Sequence, residues 1–215
     1  MNTTHPVVAK KLATMLLEIG AVKLSPQKPF TWASGWLSPI YCDNRMVLSF
    51  PAIRSFIKDS FVELIKTQYP DTEVIAGVAT AGVPHGALVA DALNLPFIYV
   101  RPKPKEHGMG NLIEGKIEEG KKVLLIEDLI STGGSSLKAA QAVQQAGMPV
   151  IGMAAIFTYG FEVAQQAFQQ ANIPFSTLSN YNALLVEAVA NDYITEEEMA
   201  SLQEWRGNPA EWKGR

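Results

Sequence analysis

The densest run of residues able to do chemistry is Val123-Leu124-Leu125-Ile126-Glu127-Asp128-Leu129-Ile130-Ser131-Thr132-Gly133-Gly134-Ser135-Ser136. Four consecutive apolar residues suit a strand buried on both faces. The carboxylates of Glu127 and Asp128 follow at its C-terminal end, the side on which open α/β sheets bind ligands. The turn beyond them holds only small residues. Gly133 and Gly134 let the backbone approach a ligand with no Cβ in the way. Amide groups at the start of the following helix, which includes Leu137, Ala140 and Val143, would then point at a single phosphate. Ser131, Thr132 and Ser135 add hydroxyl donors. The Gly-Lys-[Ser/Thr] of a Walker loop is missing, so nucleoside-triphosphate chemistry is a weak reading. Two carboxylates beside a phosphate would repel it, unless the phosphate belongs to a sugar whose hydroxyls need acceptors and whose anomeric carbon turns positive in reaction. A lone aspartate here would be read as a loop cap; the whole string is not explained that way.

A second constellation is Arg101-Pro102-Lys103-Pro104-Lys105-Glu106-His107-Gly108-Met109-Gly110. Two prolines and two glycines exclude a helix and predict a long mobile loop. Taken alone, it could equally be a solvated charge run. Beside a phosphate site, its cations gain a purpose: groups that close on a departing anion stabilise the transition state. One charge pair at about 4 Å and an effective dielectric near 20 is worth roughly 4 kcal/mol before desolvation.

These loops need a scaffold, and the apolar pattern predicts one. Val8, Leu12, Leu16 and Ile19 fall at helical spacing, with Gly20 at the C-cap. Turn formers dominate from Ser25 to Arg45, interrupted by short extended pieces at Phe30–Ala33 and Pro39–Tyr41. Ser49 is expected to cap a second helix that starts at Pro51 and carries Ile53, Ile57, Leu64 and Ile65 on one face. Beyond residue 74, the apolar runs 74–79, 97–101, 122–128 and 150–159 alternate with helical stretches near 84–93, 135–146 and 160–171. Strands separated by helices imply parallel pairing and a three-layer α/β/α domain with an N-terminal elaboration of about fifty residues. Thr195-Glu196-Glu197-Glu198 is a capping-box pattern opening a last helix, about 195–206. Trp205 and Trp212 are read as packing residues. With no repeat or linker, residues 1–215 are read as one domain, its core about 49–185.

Bulk properties narrow the partners. The net charge of −3 gives no basic excess for nucleic acid. Cys42 is the only cysteine; it excludes an internal disulfide and a CxxC metal knuckle, and is assigned no chemistry. His5 and His85 complete no metal site. No apolar stretch approaches the ~20 residues of a membrane span, and the N-terminus lacks a long apolar run after its charges. The expectation is a soluble, cytoplasmic protein with no membrane partner.

The strand, acidic pair and Ser/Thr/Gly loop of 123–136 resemble the signature of the type I phosphoribosyltransferases. Arg101, Lys105 and His107-Gly108 resemble the mobile loop of the orotate phosphoribosyltransferases, and Ser34-Gly35, Ser38-Pro39, Tyr41, Asp43 and Arg45 resemble their N-terminal hood, here mainly 20–48. The resemblance runs from about residue 20 to 185. It implies the type I phosphoribosyltransferase fold and transfer of ribose 5-phosphate from phosphoribosyl pyrophosphate (PRPP) to orotate, giving orotidine 5-phosphate and pyrophosphate in pyrimidine biosynthesis. Carried over, Glu127 and Asp128 face the ribose hydroxyls, Ser131, Thr132, Gly133, Gly134 and Ser135 hold the 5-phosphate, and Leu129 and Ile130 belong to the same PRPP-binding stretch. Arg101, Lys105 and His107 receive the pyrophosphate, with Lys105, His107 and Asp128 as the catalytic group. Tyr41 would pack on the orotate ring and Arg45 meet its carboxylate, with Ser131 and Tyr159 beside them.

The resemblance also implies a homodimer in which the 101–110 loop serves the neighbouring subunit, and Mg2+ arriving with substrate oxygens and water. Four departures stand out: Ala33 and Pro102 where many members have lysine, Thr80-Ala81 in place of an aromatic-lysine pair, and Tyr159 where some place an orotate-binding arginine. Transfer to another base, and a non-catalytic PRPP sensor that binds nucleic acid, are the alternative functions. The acidic balance and the intact basic loop weigh against the sensor.

Overall fold

The structure is a computed structural model and describes residues 2–3, 5–32, 35–103 and 112–213. In chain order the elements are β1 (Asn2–Thr3), α1 (Pro6–Glu18), β2 (Val22–Leu24), β3 (Phe30–Thr31), β4 (Leu37–Ser38), β5 (Ile40–Cys42), a 3-10 helix (Asn44–Ser49) and α2 (Pro51–Gln68). Then come β6 (Val74–Val78), α3 (Gly82–Leu93), β7 (Phe97–Val100), β8 (Ile113–Glu114), β9 (Val123–Ile130) and α4 (Gly134–Gln145). The chain continues through β10 (Val150–Thr158), α5 (Glu162–Gln170), β11 (Phe175–Asn180), α6 (Tyr181–Ala190) and α7 (Glu196–Gly207).

One sheet of order β1-β11-β10-β9-β6-β7-β8 organises the described residues. Every neighbouring pair in it is parallel except β7–β8, which is antiparallel at the edge. The central strands are apolar at nearly every position because helices cover both faces. On one face Leu12 and Leu16 of α1, Ile57 and Phe61 of α2, Val89 of α3 and Leu184 of α6 pack against Ile75, Leu124 and Ile126. On the other, Leu137, Ala140 and Val143 of α4 and Phe168 of α5 cover Val123, Leu125 and Met153. The expected three-layer architecture with a central parallel sheet is the one observed.

Two details differ from expectation. Ser49 is the last residue of the 3-10 helix, and the residue before α2 is Phe50, with no side-chain cap; the 3-10 turn delivers the chain to Pro51 without one. A further strand and helix, β11 and α6, extend the core to Ala190. The Thr195 capping box is present, with Thr195 Oγ1 accepting from the Glu198 amide at 3.2 Å and Glu198 Oε2 accepting from the Thr195 amide at 3.0 Å.

The hood consists of two short antiparallel pairs, β2–β5 and β3–β4. It is too small to bury a core of its own and leans on α7. Trp205 is fully buried, its Nε1 donates to the Leu37 carbonyl at 3.1 Å, and its ring meets Trp32 edge-on at 5.5 Å. Trp212 is partly buried against the same core. No helix among the described residues is long and apolar enough to cross a membrane.

Candidate active site

The parallel strands end on a common side, and the chemistry-bearing segments leave from those ends. Residues 79–81 follow β6, Arg101 follows β7, the 131–133 turn follows β9 and Tyr159 follows β10. Strand β9 runs on past its first apolar stretch, from Glu127 to Ile130. It keeps its pairing to β10 through Ile130↔Thr158, while its register with β6 ends at Gly77↔Ile126. Glu127 and Asp128 thus stand in the strand where one neighbour has peeled away. Gly82, at the head of α3, fills the gap: a Cβ there would lie 2.3 Å from the Ile126 carbonyl oxygen and 3.2 Å from the Glu127 Cα. Only glycine allows the 79–82 turn to sit this close to the acidic pair.

The two carboxylates divide their work. Glu127 is buried, its Oε2 accepts from the Ser136 hydroxyl at 3.0 Å and its Oε1 from the Asp128 amide at 3.1 Å. Each of its oxygens accepts one hydrogen bond from the protein. Burial first, and then the neighbouring Asp128 charge, push the Glu127 carboxyl well above its ordinary range. Asp128 is half-buried, and burial raises its carboxyl as well. Of the pair, Asp128 is the one with access to a ligand.

The turn after Ile130 has the shape of a cradle. Ile130 itself is fully buried and its carbonyl accepts from Thr158 Oγ1 at 2.8 Å. Gly133 adopts φ +84° and lies against Phe168, whose ring would be 3.0 Å from an added Cβ. Gly134 opens α4 and an added Cβ would meet nothing within 4 Å. Thr132, Gly134 and Ser135 are exposed and Ser131 is half-buried. The helix start therefore offers amides to open space, the geometry an anion requires.

Beside Ser131 lies a cleft of about 270 Å3. Thr31, Trp32, Tyr41 and Cys42 of the hood form one wall, and Leu129, Ser131 and Tyr159 the other. Three of the four expected orotate residues thus share one cavity. Tyr159 is almost fully buried, with Trp32, Phe161 and Trp205 ring centroids at 5.2, 5.4 and 5.7 Å. Arg45 is placed differently: its Nε and Nη2 donate to the two Asp43 carboxylate oxygens at 2.6 and 2.9 Å, outside the cleft lining. This bidentate pair holds the Asp43 carboxyl below its usual value, chiefly through the hydrogen bond from Arg45. A larger hollow of about 660 Å3 beyond Tyr159, between Asn180 and Arg206, contains no residue of the 127–135 segment.

Arg101 is half-buried, its Nη1 3.5 Å from Glu114 Oε1, and its amide donates to the Leu112 carbonyl at 2.8 Å. Lys105 and His107 lie outside the described residues. Ala33 does too, whereas Thr80 is exposed on the 79–81 turn. Sequence reasoning assigned nothing to Cys42, which lines the cleft with its thiol held neutral by burial and by nearby Asp128 and Asp43. It also overlooked Asn44, whose Nδ2 donates to the Asp128 carbonyl at 2.8 Å. No spacing in the string marks an asparagine as a partner for a carbonyl 84 residues away.

Residues 45–180 match the phosphoribosyl transferase domain family. The chain is 60% identical over 204 residues to the orotate phosphoribosyltransferase of Cytophaga hutchinsonii, spanning 95% of this chain and 98% of that protein. It is 54% identical over 205 residues to the Listeria innocua enzyme of the same name, spanning 95% and 98%. Among solved structures, orotate phosphoribosyltransferase from Aeropyrum pernix superposes with a TM-score of 0.70 at 26% identity, covering 82% of this chain and 98% of that one. Strand, cradle, hood and relatives agree, and the chain belongs to the orotate phosphoribosyltransferases of the phosphoribosyl transferase domain family.

Proposed function

We propose that this chain joins orotate to the ribose 5-phosphate of PRPP, releasing pyrophosphate and forming orotidine 5-phosphate for pyrimidine synthesis. The observation that carries the reading is that one continuous stretch, 128–135, brings together the half-buried Asp128, the cleft residue Ser131 and the open helix start at Gly134. A ligand spanning cleft and cradle would have its sugar at the carboxylate, its 5-phosphate at 131–135 and its base between Tyr41 and Tyr159.

In this reading the orotate ring nitrogen attacks the anomeric carbon, and the carbon–oxygen bond to pyrophosphate breaks with its electron pair leaving on the diphosphate. Asp128 favours the positive sugar that forms between these events. Glu127, engaged by Ser136 and the Asp128 amide, holds the acidic strand in place behind it. Arg101, Lys105 and His107 are assigned to the departing diphosphate. No general base is assigned. Tyr159 and Tyr41 bracket the ring, and Ser131 offers a hydroxyl at its edge. For Arg45 to reach the carboxylate it must exchange its Asp43 partner.

Mg2+ is the proposed cation. Hard oxygen donors suit it: the diphosphate and ribose oxygens of the substrate, with water, would supply most of them, and Asp128 beside the sugar would be the protein donor. When bound, magnesium supplies charge neutralisation on the diphosphate. A homodimer sharing the 101–110 loop and a cytoplasmic location complete the proposal, supported by the family resemblance of that loop and by the absence of a spanning helix among the described residues. The deciding assay is base-dependent pyrophosphate release from PRPP. Release with orotate, and none with uracil, adenine or hypoxanthine, is expected; preference for another base would overturn the substrate assignment.

A further inference from the structure

The hood and the acidic strand are joined by one side chain. Asn44, first residue of the 3-10 helix, is 1% exposed. Its Nδ2 donates to the Asp128 carbonyl at 2.8 Å, and its Oδ1 accepts from the Cys42 thiol at 3.3 Å. Cys42 lines the base cleft and Asp128 lies on the strand that leads into the cradle, so a short hydrogen-bonded chain joins the cleft wall to that strand. The hood end is itself anchored, for the Asp43 amide donates to the Ala21 carbonyl at 2.7 Å.

The bond to Asp128 answers a need created by the sheet. Beyond Ile126, strand β9 has lost its register with β6, and a buried carbonyl left without a donor there is costly. The Asn44 amide takes the place a strand would have filled. Because the replacement comes from the hood, the position of the acidic strand and that of the cleft wall are set by the same group.

We propose that Asn44 is a positioning residue for phosphoribosyl transfer: through its two hydrogen bonds it fixes the base cleft relative to the sugar's anomeric carbon. This rests on the functional reading above. Its effect lies in the alignment of two bound reactants, where a displacement near 1 Å costs about 100-fold in rate, and not in the binding of either one.

The test compares wild type and Asn44→Leu, which keeps the volume but has neither a donor for the Asp128 carbonyl nor an acceptor for the Cys42 thiol. Single-turnover formation of orotidine 5-phosphate is expected to slow by about 10–100-fold. Dissociation constants for PRPP and for orotate, each measured by calorimetry, should stay within about threefold. A purely structural role would instead lower the folded fraction or weaken both ligands, with the rate per saturated site unchanged, and that result overturns the proposal. Should Asn44→Leu fail to fold, Asn44→Ser decides, its hydroxyl being too short to join Cys42 to the Asp128 carbonyl. A single-turnover rate lowered at least about tenfold, with both affinities held, sustains the strut; a wild-type rate removes it. If the wild-type chain itself forms no orotidine 5-phosphate, it is the functional reading that falls.

Discussion

Glu127 shows what a single buried carboxylate costs and returns. Its folded-state affinity for a proton is raised above that of the unfolded chain, chiefly by burial. The sign follows: its contribution is fully favourable while it is protonated and is lost as pH rises from the ordinary carboxyl range, near 4.5, through its raised value. At neutral pH it therefore weakens the fold. Glu127→Gln is expected to raise the melting midpoint by about 2–4 °C at pH 7, the equivalent of about 1 kcal/mol in a chain of this size, while lowering turnover. Calorimetric scans at pH 7 and 5 check it, and the gain should shrink at the lower pH. His85 acts in the opposite direction. It is buried on α3 with no partner for Nε2 among the described residues, and burial lowers it from 6.5 to about 4. Stability is then intact above pH 6.5 and falls as pH drops toward 4, by about 3 kcal/mol from this group. Urea unfolding of His85→Phe across that window should show a shallower decline than wild type.

At the scale of elements, the two glycines of the cradle separate folding from binding. Gly133 needs its left-handed backbone and its space against Phe168. Gly133→Ala should cost about 1–2 kcal/mol in chemical unfolding. Gly134 has ordinary helical surroundings and open space. Gly134→Ala should leave stability unchanged or slightly improved, since alanine favours helix by about 1 kcal/mol, yet weaken PRPP binding at least tenfold by placing a methyl group where a phosphate approaches. Equal losses of stability in both variants would refute the distinction.

The same contrast explains what could be read in advance. Strands β6, β7, β9 and β10 announce themselves as apolar runs because both faces are covered. Strand β11 does not: Ser176, Thr177 and Ser179 interrupt it, all buried. The polarity is tolerated because Ser176 meets Tyr69 and Gln68, while Ser179 donates to the Ala9 carbonyl at 2.8 Å. Partners 107 and 108 residues away for Ser176 leave no local trace. The cradle was legible because consecutive residues build it. The Asn44 link and the Asp43–Arg45 pairing depend on side-chain directions that spacing does not encode.

For the whole molecule, the proposed sharing of the 101–110 loop makes each site composite. A heterodimer of one Asp128→Asn subunit and one Lys105→Ala subunit then contains one site with both defects and one with neither. Activity well above that of either parental homodimer is expected, approaching half of wild type in verified heterodimers; no recovery would argue that each loop serves its own subunit. Lys105→Ala alone should lower turnover by about 10²–10³-fold, the scale of a lost transition-state donor.

The aromatic packing that braces the hood has an optical consequence. Trp32 stands at the mouth of the cleft with Trp205 edge-on behind it and Tyr159 against both. Ultraviolet emission from this pair reports on the polarity and quenching of that small volume. A flat acid entering the cleft beside Trp32 should dim and shift the indole signal, so occupancy can be titrated on unlabelled enzyme without turnover.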